Sequence, residues 1–430
     1  MRINKNTINF FIVLTYVISC FPLLTFGMRS VITIVWSLFG LFIFSKKRTR
    51  LNKDIWIFIL PYLLLLCSLI YSDNIQTGID SLIKMLSFIL FPLIFYLNKD
   101  FFSKKQISNI IYLFVLSVFI LIIYQIANVI FNYSFLFDNI TLQEIKSNGF
   151  SALSEINDQK INQIKLRRFR NFIIEISNTH TTYQGLWISF SVFFLISEFK
   201  KIQKSTLKIV CLFSIIVLIC WLYFISARMP IMALLISGSV TIFFFSNYSK
   251  LKLVKIGLVF STVIIASLCF KNPFSIRVKE YYNTGLGLLE KTSKTSEFNS
   301  SNVRNGIYYC DLKLIKESPF IGVGIGDLQA ELNKCYNKEI GAKVYTWRDY
   351  NTHNQYAFFW ISSGFLGLSL FLLLIFNLFK KSIKNEDYLL FYLSILTVII
   401  FFTENLLERS DGVLFFGFFT GLFYFNTVRK

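Results

Sequence analysis

The feature that most constrains this chain is a series of long apolar runs that recurs over almost its whole length. A membrane-spanning helix needs about 20 mostly apolar residues, because the hydrocarbon core of a bilayer is about 30 Å thick. On this criterion we expect an all-α polytopic membrane protein that forms a single membrane domain over residues 1–430. The runs predict twelve spans: Ile8–Phe26, Val31–Phe44, Ile55–Tyr71, Gly78–Leu97, Ile107–Phe131, Tyr183–Phe199, Thr206–Ile225, Pro230–Phe245, Val254–Phe270, Asn354–Phe379, Tyr388–Phe402 and Gly412–Phe425.

The distribution of basic residues gives these spans an orientation. Cytoplasmic loops of membrane proteins are enriched in Lys and Arg. If the N-terminus is cytoplasmic, the predicted inner segments carry 22 Lys and Arg, whereas the short outer turns carry only Arg29, Arg228 and Arg409. This asymmetry favours twelve spans with both termini in the cytoplasm.

The composition excludes an ordinary soluble domain, since 54% of the residues are hydrophobic and only 16% are charged. The net charge of +20 does not indicate a nucleic-acid partner, because the 44 Lys and Arg are dispersed as short clusters between apolar runs. Arg2 and Lys5 precede the first run, as in a signal peptide. No convincing small-residue cleavage site follows, so we expect this run to remain as the first span.

Two long polar loops are predicted on the outer side of the membrane. The first covers residues 132–182, and the larger one covers residues 271–353, between spans nine and ten. In the larger loop, Asn302–Glu317 has apolar residues at helical spacing, Pro319–Gly326 predicts a turn, and Asp327–Lys338 resumes the helical pattern. The first loop carries a basic cluster, formed by Lys165, Arg167, Arg168 and Arg170.

The chain has seven cysteines, and only Cys310 and Cys335 lie in a long polar loop. The other five fall in or at the ends of apolar runs without the spacing of metal ligands. Cys310 and Cys335 can form a disulfide if their loop lies in the oxidising periplasm, although spacing alone does not fix the pairing.

The two histidines, His180 and His353, are both predicted at the outer face, where a loop meets a span. A histidine at such a boundary often caps a helix or bonds to a backbone carbonyl. For His180 this structural role fits the sequence as well as a substrate contact does.

Arg228 lies between two apolar runs with almost no loop around it. A guanidinium at hydrocarbon depth costs ~2.5–3.5 kcal/mol on insertion scales, so we expect a compensating partner. That partner is either lipid headgroups or a bound phosphate, which matches the planar guanidinium fork. Arg304 opens the predicted helix of the larger loop, as a solvated charge or as part of an anion site near a helix N-terminus.

The segment Val344–Leu370 carries the most specific pattern. A polar stretch runs into an apolar helix, His353 stands at the boundary, and Gly364 and Gly367 lie about three turns deeper. Small residues at that depth are expected to let another helix approach closely. This pattern resembles the histidine motif of the O-antigen ligase superfamily, integral-membrane enzymes that move a glycan from a polyprenyl diphosphate to an acceptor.

Three further features fit the same resemblance. Arg228 and Arg304 stand where this family has two arginines, one at the outer end of the seventh and eighth spans and one early in the large periplasmic loop. Pro319–Asp327, which reads PFIGVGIGD, is similar to the family's turn rich in proline and glycine. The resemblance implies a bacterial inner-membrane protein whose active site faces the periplasm.

The activity implied by the resemblance is metal-independent, inverting glycosyl transfer without a cofactor. The donor would be an undecaprenyl-diphosphate-linked glycan, and the acceptor would be lipid A-core or another glycan. His353, Arg228 and Arg304 would be catalytic. Substrate contacts are expected from Arg228, Arg304, Asn354, His180, Lys84 and Arg409.

Two alternatives remain open at this stage: a polymerase of the same superfamily, and a transporter or flippase of lipid-linked sugars. The charged residues concentrate at the outer ends of the spans rather than at the midplane, which favours an enzyme over a transporter. With two histidines far apart and no acidic cluster, a metal site is not expected. Glu404 and Glu408, beside Arg409, fit either a solvated turn or the rim of a pocket.

Overall fold

The computed structural model describes residues 5–47, 53–156, 158–245, 282, 285 and 287–426. These residues form helices and connecting turns, and no β-strand occurs among them. The α-helices in these ranges are α1 (Lys5–Ser19), α2 (Phe26–Lys47), α3 (Trp56–Cys67), α4 (Ile75–Met85), α5 (Ser87–Leu97), α6 (Lys104–Phe131), α7 (Tyr133–Phe137), α8 (Leu142–Ser147), α9 (Asp158–Ser177), α10 (Thr181–Phe199), α11 (Ser205–Phe224), α12 (Arg228–Phe245), α13 (Ser300–Glu317), α14 (Leu328–Cys335), α15 (Gln355–Lys384), α16 (Tyr388–Phe401) and α17 (Ser410–Phe425).

Six helical stretches in the described ranges are long and apolar enough to cross a membrane. They are Phe26–Lys46, Lys53–Tyr71, Lys104–Phe131, Ser205–Phe224, Arg228–Phe245 and Gln355–Lys384. Helices α4 and α5 form one further candidate, bent by 41°, and α16 and α17 are apolar but shorter. The all-helical, multi-pass character is therefore confirmed. The number of twelve spans stays a prediction, and the predicted span 254–270 lies outside the described residues.

The centre of the bundle is the close packing of α17 against α5. A Cβ added at Gly417 would lie 2.3 Å from the Ser87 carbonyl oxygen, so only glycine allows the two backbones to approach this closely. Phe418 packs edge-on against Phe91 and Phe95, with ring centroids 5.5 and 5.3 Å apart. Such aromatic pairs add packing energy beyond their buried area, which fixes α17 and the turn that precedes it.

The long helix α15 is broken one third of the way along. Ser363 has φ −138°, and Gly364 has φ 67° and ψ −168°. Neither residue has the backbone angles of a helix. The segment Pro319–Asp327 inserts into this break. Val323 N–H donates to the Ile361 carbonyl at 2.7 Å, and Phe365 N–H donates to the Pro319 carbonyl at 2.9 Å. These bonds replace the helical ones that the break removes, as a membrane-embedded backbone requires.

The expectation that another helix approaches Gly364 and Gly367 is wrong. A Cβ at Gly364 would lie 1.9 Å from the carbonyl oxygen of Phe320, which belongs to the inserted segment. At Gly367 the nearest atom is the Oγ of Ser363 in the same helix. The atoms nearest to an added Cβ therefore belong to the inserted segment at Gly364 and to the same helix at Gly367.

The inserted segment is also fixed to the start of α4. The Asp327 carboxylate accepts hydrogen bonds from the Asp73 N–H at 2.7 Å and from the Asn74 N–H at 2.9 Å. Ile325 N–H donates to Ser68 Oγ at 3.1 Å. The loop that contains α13 and α14 is thereby tied to the helix bundle at a defined point.

The predicted helix Asn302–Glu317 is confirmed as α13, and the predicted helix from Asp327 is confirmed as α14, which continues as a π-helical turn over Tyr336–Ile340. Cys310 and Cys335 form a disulfide that joins α13 to α14.

Within residues 132–182 the structure contains α7, α8 and the 20-residue helix α9, which the sequence did not predict. Part of the basic cluster in this region is structural. Arg168 pairs with Glu144 at 2.5 Å, and Lys165 donates to the Phe137 carbonyl at 2.8 Å. These two side chains hold α9 against the short helices.

Candidate functional site

His353 lies in the turn that precedes α15, and its backbone is unusual. Its φ is 46°, a left-handed conformation that residues other than glycine rarely adopt. The other described non-glycine residues with positive φ, Asn178, Ser226 and Glu386, follow the ends of helices, where this conformation is common. His353 instead precedes a helix. Strain of this kind is typical of positions held for a function.

The turn is held by the polar side chains on either side of His353. The His353 N–H donates to Asn351 Oδ1 at 3.2 Å. Asn354 caps α15, because its Oδ1 accepts from the N–H groups of Tyr356 and Ala357 at 2.9 and 3.1 Å. Thr352 Oγ1 donates to Asn405 Oδ1 at 2.9 Å, which ties the turn to the segment between α16 and α17.

Glu404, in that same segment, lies between two of the residues that the sequence singled out. Its Oε1 accepts from Arg304 Nη2 at 3.4 Å, and its Oε2 lies 3.7 Å from His353 Nδ1. The Glu404 side chain is only 13% exposed. The structure thus brings Arg304, from the large loop, and His353 to a single buried carboxylate.

The electrostatics of Glu404 reflect this position. Burial by itself would raise the pKa of Glu404, but the adjacent His353, with Arg304 and His180, outweighs burial and lowers the pKa to about 2. Glu404 is therefore ionised at neutral pH. It is the counter-charge for the surrounding cations.

His180 caps α10, since its Nδ1 accepts from the Thr182 N–H at 3.3 Å. Its side chain is exposed, yet it lies among enough protein that desolvation lowers its pKa to about 4. Glu404 opposes this shift, while Arg170, Arg409 and His353 reinforce it. His180 therefore caps α10 and also lies close enough to Glu404 and His353 for their charges to influence it.

Lys84 and Arg409 act on a second carboxylate of the same turn, Glu408. Burial raises the pKa of Glu408, and Arg409 and Lys84 oppose that shift. Glu408 accepts hydrogen bonds from the Nδ2 amides of Asn405 and Asn351. Because Asn351 also holds the His353 backbone, the turn that carries Glu404 and Glu408 supports the histidine on two sides.

Arg228 is the first residue of α12, directly after the left-handed turn at Ser226. Its side chain is half-buried. The flanking residues Ala227 and Pro230 pack against Gly185, where an added Cβ would lie 2.8 and 2.7 Å from their side chains. Gly185 is in α10, five residues after His180. The packing of α12 against α10 therefore places the start of α12 a little over one turn from His180 along α10.

Sequence reasoning missed a buried ion pair beside this site. Arg29, predicted only as a charge in an outer turn, pairs with Asp411 at the start of α17. Arg29 Nε also donates to the Phe21 carbonyl at 2.8 Å, and Asp411 accepts from Thr179 Oγ1. An aspartate that opens an apolar helix was a usable signal, because buried carboxylates are retained where they have a partner.

In the described part of the chain, no group of three or more His, Cys, Asp or Glu side chains is placed to hold a metal ion. The chemistry available to the site from its own residues is that of cations and an imidazole around one carboxylate. Such a set can bind an anionic substrate, stabilise negative charge and accept a proton.

Residues 212–372 match the family model described as O-antigen ligase. The match includes Arg228, Arg304 and His353. It confirms the resemblance seen in the sequence and places this segment in the O-antigen ligase superfamily. Residues 212–372 are thus similar to a family of glycosyltransferase-like membrane enzymes, and the apolar helices of the described ranges indicate a multi-pass membrane protein. No curated protein matches the chain.

Proposed function

We propose that this protein transfers a polysaccharide from undecaprenyl diphosphate to an acceptor hydroxyl at the periplasmic face of the bacterial inner membrane, by metal-independent inverting glycosyl transfer. In its most specific form the reaction is ligation of O-antigen to lipid A-core. The observation that best supports the proposal is the convergence of Arg304 and His353 on Glu404, at 3.4 and 3.7 Å.

The topology of charge supports a periplasmic site. The site lies at the end of the bundle where α15 begins. At the other end of the same helix, Lys381 lies 4.0 Å from Asp54, and Tyr388 donates to Glu198. Those residues belong to predicted cytoplasmic segments or border them. The disulfide between Cys310 and Cys335 also fits an oxidising compartment for the large loop.

In the proposed reaction the diphosphate binds to Arg228 and Arg304, whose guanidinium forks suit phosphate oxygens. The acceptor oxygen forms a bond to the anomeric carbon while the bond from that carbon to the diphosphate oxygen breaks. The bonding pair leaves on the diphosphate, where the two arginines stabilise the growing charge. The hydroxyl proton passes to His353, and one displacement inverts the anomeric centre.

The remaining predicted residues fit secondary roles in this proposal. Lys84 and Arg409 lie beside the carboxylate turn and add positive charge for an anionic substrate. His180, whose pKa is lowered to about 4, would contact the substrate as a neutral imidazole. Asn354 uses its Oδ1 to cap α15, so a substrate contact from this residue would come from its Nδ2.

The test uses purified full-length protein, a synthetic undecaprenyl-diphosphate oligosaccharide and candidate acceptors, with products identified by mass spectrometry. We expect His353→Ala to lower the rate by about 10²–10⁴, the usual contribution of a positioned general base. Arg228→Ala and Arg304→Ala should weaken both donor binding and transfer. A chelator should leave the rate unchanged. Transfer at the wild-type rate by His353→Ala would refute the assigned role.

The same assay separates the other readings. A polymerase would extend a carrier-linked repeat and ignore lipid A-core. A transporter would need a membrane with two sides, so glycan transfer by detergent-solubilised protein without a gradient would exclude that class as the primary activity.

A further inference from the structure

We propose that Glu404 is a positioning residue that couples donor binding to activation of His353. Without donor, Glu404 is shared between Arg304 and His353. When the diphosphate takes Arg304, Glu404 is released to bond to His353 alone. This inference builds on the glycosyl transfer proposed above and extends it to a residue that lies beyond the matched segment 212–372.

The first observation is that neither partner of Glu404 is at its ideal distance. Charge-assisted N–H···O bonds are usually about 2.7–2.9 Å long. Arg304 Nη2 lies 3.4 Å from Oε1, and His353 Nδ1 lies 3.7 Å from Oε2. The carboxylate is therefore shared between a guanidinium and an imidazole, and neither forms a full-strength hydrogen bond with it.

The second observation is that the Nδ1 atom of His353 is buried and has no hydrogen-bond partner. A buried polar nitrogen without a partner is unfavourable and calls for an explanation. The Glu404 carboxylate is beside it, and a shift of less than one ångström would complete the bond. The arrangement is one step short of a histidine–carboxylate pair.

The third observation concerns which of the three groups can move. Arg304 is 36% exposed on the side chain, whereas Glu404 is 13% exposed. An exposed, long arginine can turn to an incoming diphosphate, which offers bidentate acceptors. The buried carboxylate stays. Once Arg304 no longer competes for the Glu404 carboxylate, a short rotation of that carboxylate toward His353 becomes favourable.

The backbone around the histidine is fixed so that only side chains need to move. Asn351 holds the His353 N–H and is itself bonded to Glu408. Thr352 is bonded to Asn405, the residue next to Glu404. The imidazole and the carboxylate therefore belong to two turns that are joined by side-chain hydrogen bonds.

The chemical consequence is a defined tautomer. A carboxylate that accepts a hydrogen bond from Nδ1–H keeps the ring proton on that nitrogen and leaves the Nε2 lone pair to take the acceptor proton. The same carboxylate then stabilises the imidazolium that forms. Arg304 leaves Glu404 only when a diphosphate is present, so His353 is activated only when donor is bound. This coupling would limit proton abstraction from the acceptor in the absence of donor.

The test separates donor binding from catalysis in the full-length protein. Glu404→Gln removes the charge but keeps the shape. We expect kcat for transfer to fall at least 100-fold, with the KM and the measured affinity for the undecaprenyl-diphosphate oligosaccharide unchanged or improved, because Arg304 loses its competing carboxylate. Glu331→Gln is the matched control. Glu331 pairs with the 70% exposed Lys334 on α14 and should leave both parameters unchanged.

A purely structural Glu404 would lower donor affinity and kcat together through disorder of Arg304, and this outcome would overturn the proposal. Retention of wild-type kcat by Glu404→Gln would also overturn it. If that variant does not fold, Glu404→Asp keeps the charge on a shorter side chain. We then expect a kcat loss of about 10-fold at unchanged KM, and wild-type kcat would refute the idea. If wild-type protein transfers no glycan from any donor, the proposed function itself fails.

Discussion

The two ends of the helix bundle carry their charges in different ways. At the end that holds the candidate site, Arg29 and Asp411 are 7% and 11% exposed on their side chains, and Glu404 is 13% exposed. At the opposite end, Lys201 is 62% exposed and its partner Glu198 is 13% exposed, while Asp54 is 45% exposed and its partner Lys381 is 28% exposed. The pair of Arg29 and Asp411 is therefore buried on both sides, whereas each of these pairs keeps one partner in contact with water.

The burial of charged side chains helps to distinguish a functional site from an ordinary protein surface. Exposed ion pairs contribute about 0–1 kcal/mol, because water already solvates the separated charges. A buried charge left alone costs several kcal/mol, so it persists only where the surrounding structure or a ligand provides compensation. The crowding of Arg304, His353, His180 and Arg409 around two carboxylates is thus the feature that a structural role alone explains poorly.

The largest expected effect on stability comes from the buried pair. Asp411→Asn leaves the Arg29 guanidinium buried beside a neutral amide and should lower the free energy of unfolding by about 3–5 kcal/mol. Thermal unfolding of the detergent-solubilised protein measures this loss. The double variant Arg29→Met, Asp411→Leu should recover most of it. An unchanged unfolding midpoint for Asp411→Asn would remove the distinction between the two ends.

A somewhat smaller loss is expected at the break in α15. Gly364→Ala places a Cβ 1.9 Å from the Phe320 carbonyl oxygen, and its backbone angles, φ 67° and ψ −168°, are essentially restricted to glycine and alone cost another residue about 1–3 kcal/mol. We expect a loss of about 2 kcal/mol or more, together with protease sensitivity of residues 319–327. The matched control is Gly238→Ala in α12, where the nearest atom to an added Cβ is 3.9 Å away. If the two variants are equally stable, the inserted segment does not pack as described.

The ion pair between Glu144 and Arg168 tests the role of partly buried charges through the pH dependence of stability. The hydrogen bond from Arg168 lowers the pKa of Glu144 to about 2, against about 4.3 for an ordinary glutamate. Its contribution, about 1 kcal/mol, is therefore complete above pH ~4.5 and is lost as the pH falls toward 2. The protection of the amides in α8 and α9, which is the intrinsic exchange rate at each pH divided by the observed rate, should fall over that interval. Glu144→Gln should show the faster exchange already at pH 6, and an unchanged exchange rate in that variant would contradict the assignment.

The smallest effect is expected at the opposite end of the bundle. Asp54→Asn removes a carboxylate that is 45% exposed and 4.0 Å from Lys381. We expect a stability change within about 0.5 kcal/mol and an unchanged transfer rate. A loss comparable to that of Asp411→Asn would show that this end is also structurally dependent on its charges.

Much of the architecture follows from local sequence. Apolar runs predict the membrane helices because burial in lipid selects length and composition over a continuous stretch. Helix α13 was predicted within two residues. Its true start is Ser300, because Asn299 caps the amides of Ser301 and Asn302. Helix α9 was missed because its apolar residues, Ile164, Phe169 and Ile173, are interleaved with five basic ones in a segment of low overall hydropathy.

The site was predicted in part, and the missing part depends on long-range contacts. His353 and Arg304 were selected by a family resemblance, and the structure joins them through a residue that sequence could not rank. Glu404 is 100 positions from Arg304, and nothing in ENLLERSDG distinguishes its role from that of Glu408. The insertion of Pro319–Asp327 into α15 was likewise hidden, because its hydrogen bonds join segments that have no local signature.

The break in α15 also sets an order for biogenesis. When residues 355–384 first enter the lipid, their backbone can satisfy itself only as an uninterrupted helix, since free peptide groups are not tolerated in hydrocarbon. The native bend exists only after Pro319–Gly324 has arrived at the same depth and exchanged bonds with Ile361, Ser362 and Phe365. The bend in α15 and the insertion of Pro319–Gly324 therefore depend on each other and are expected to form in the same folding step.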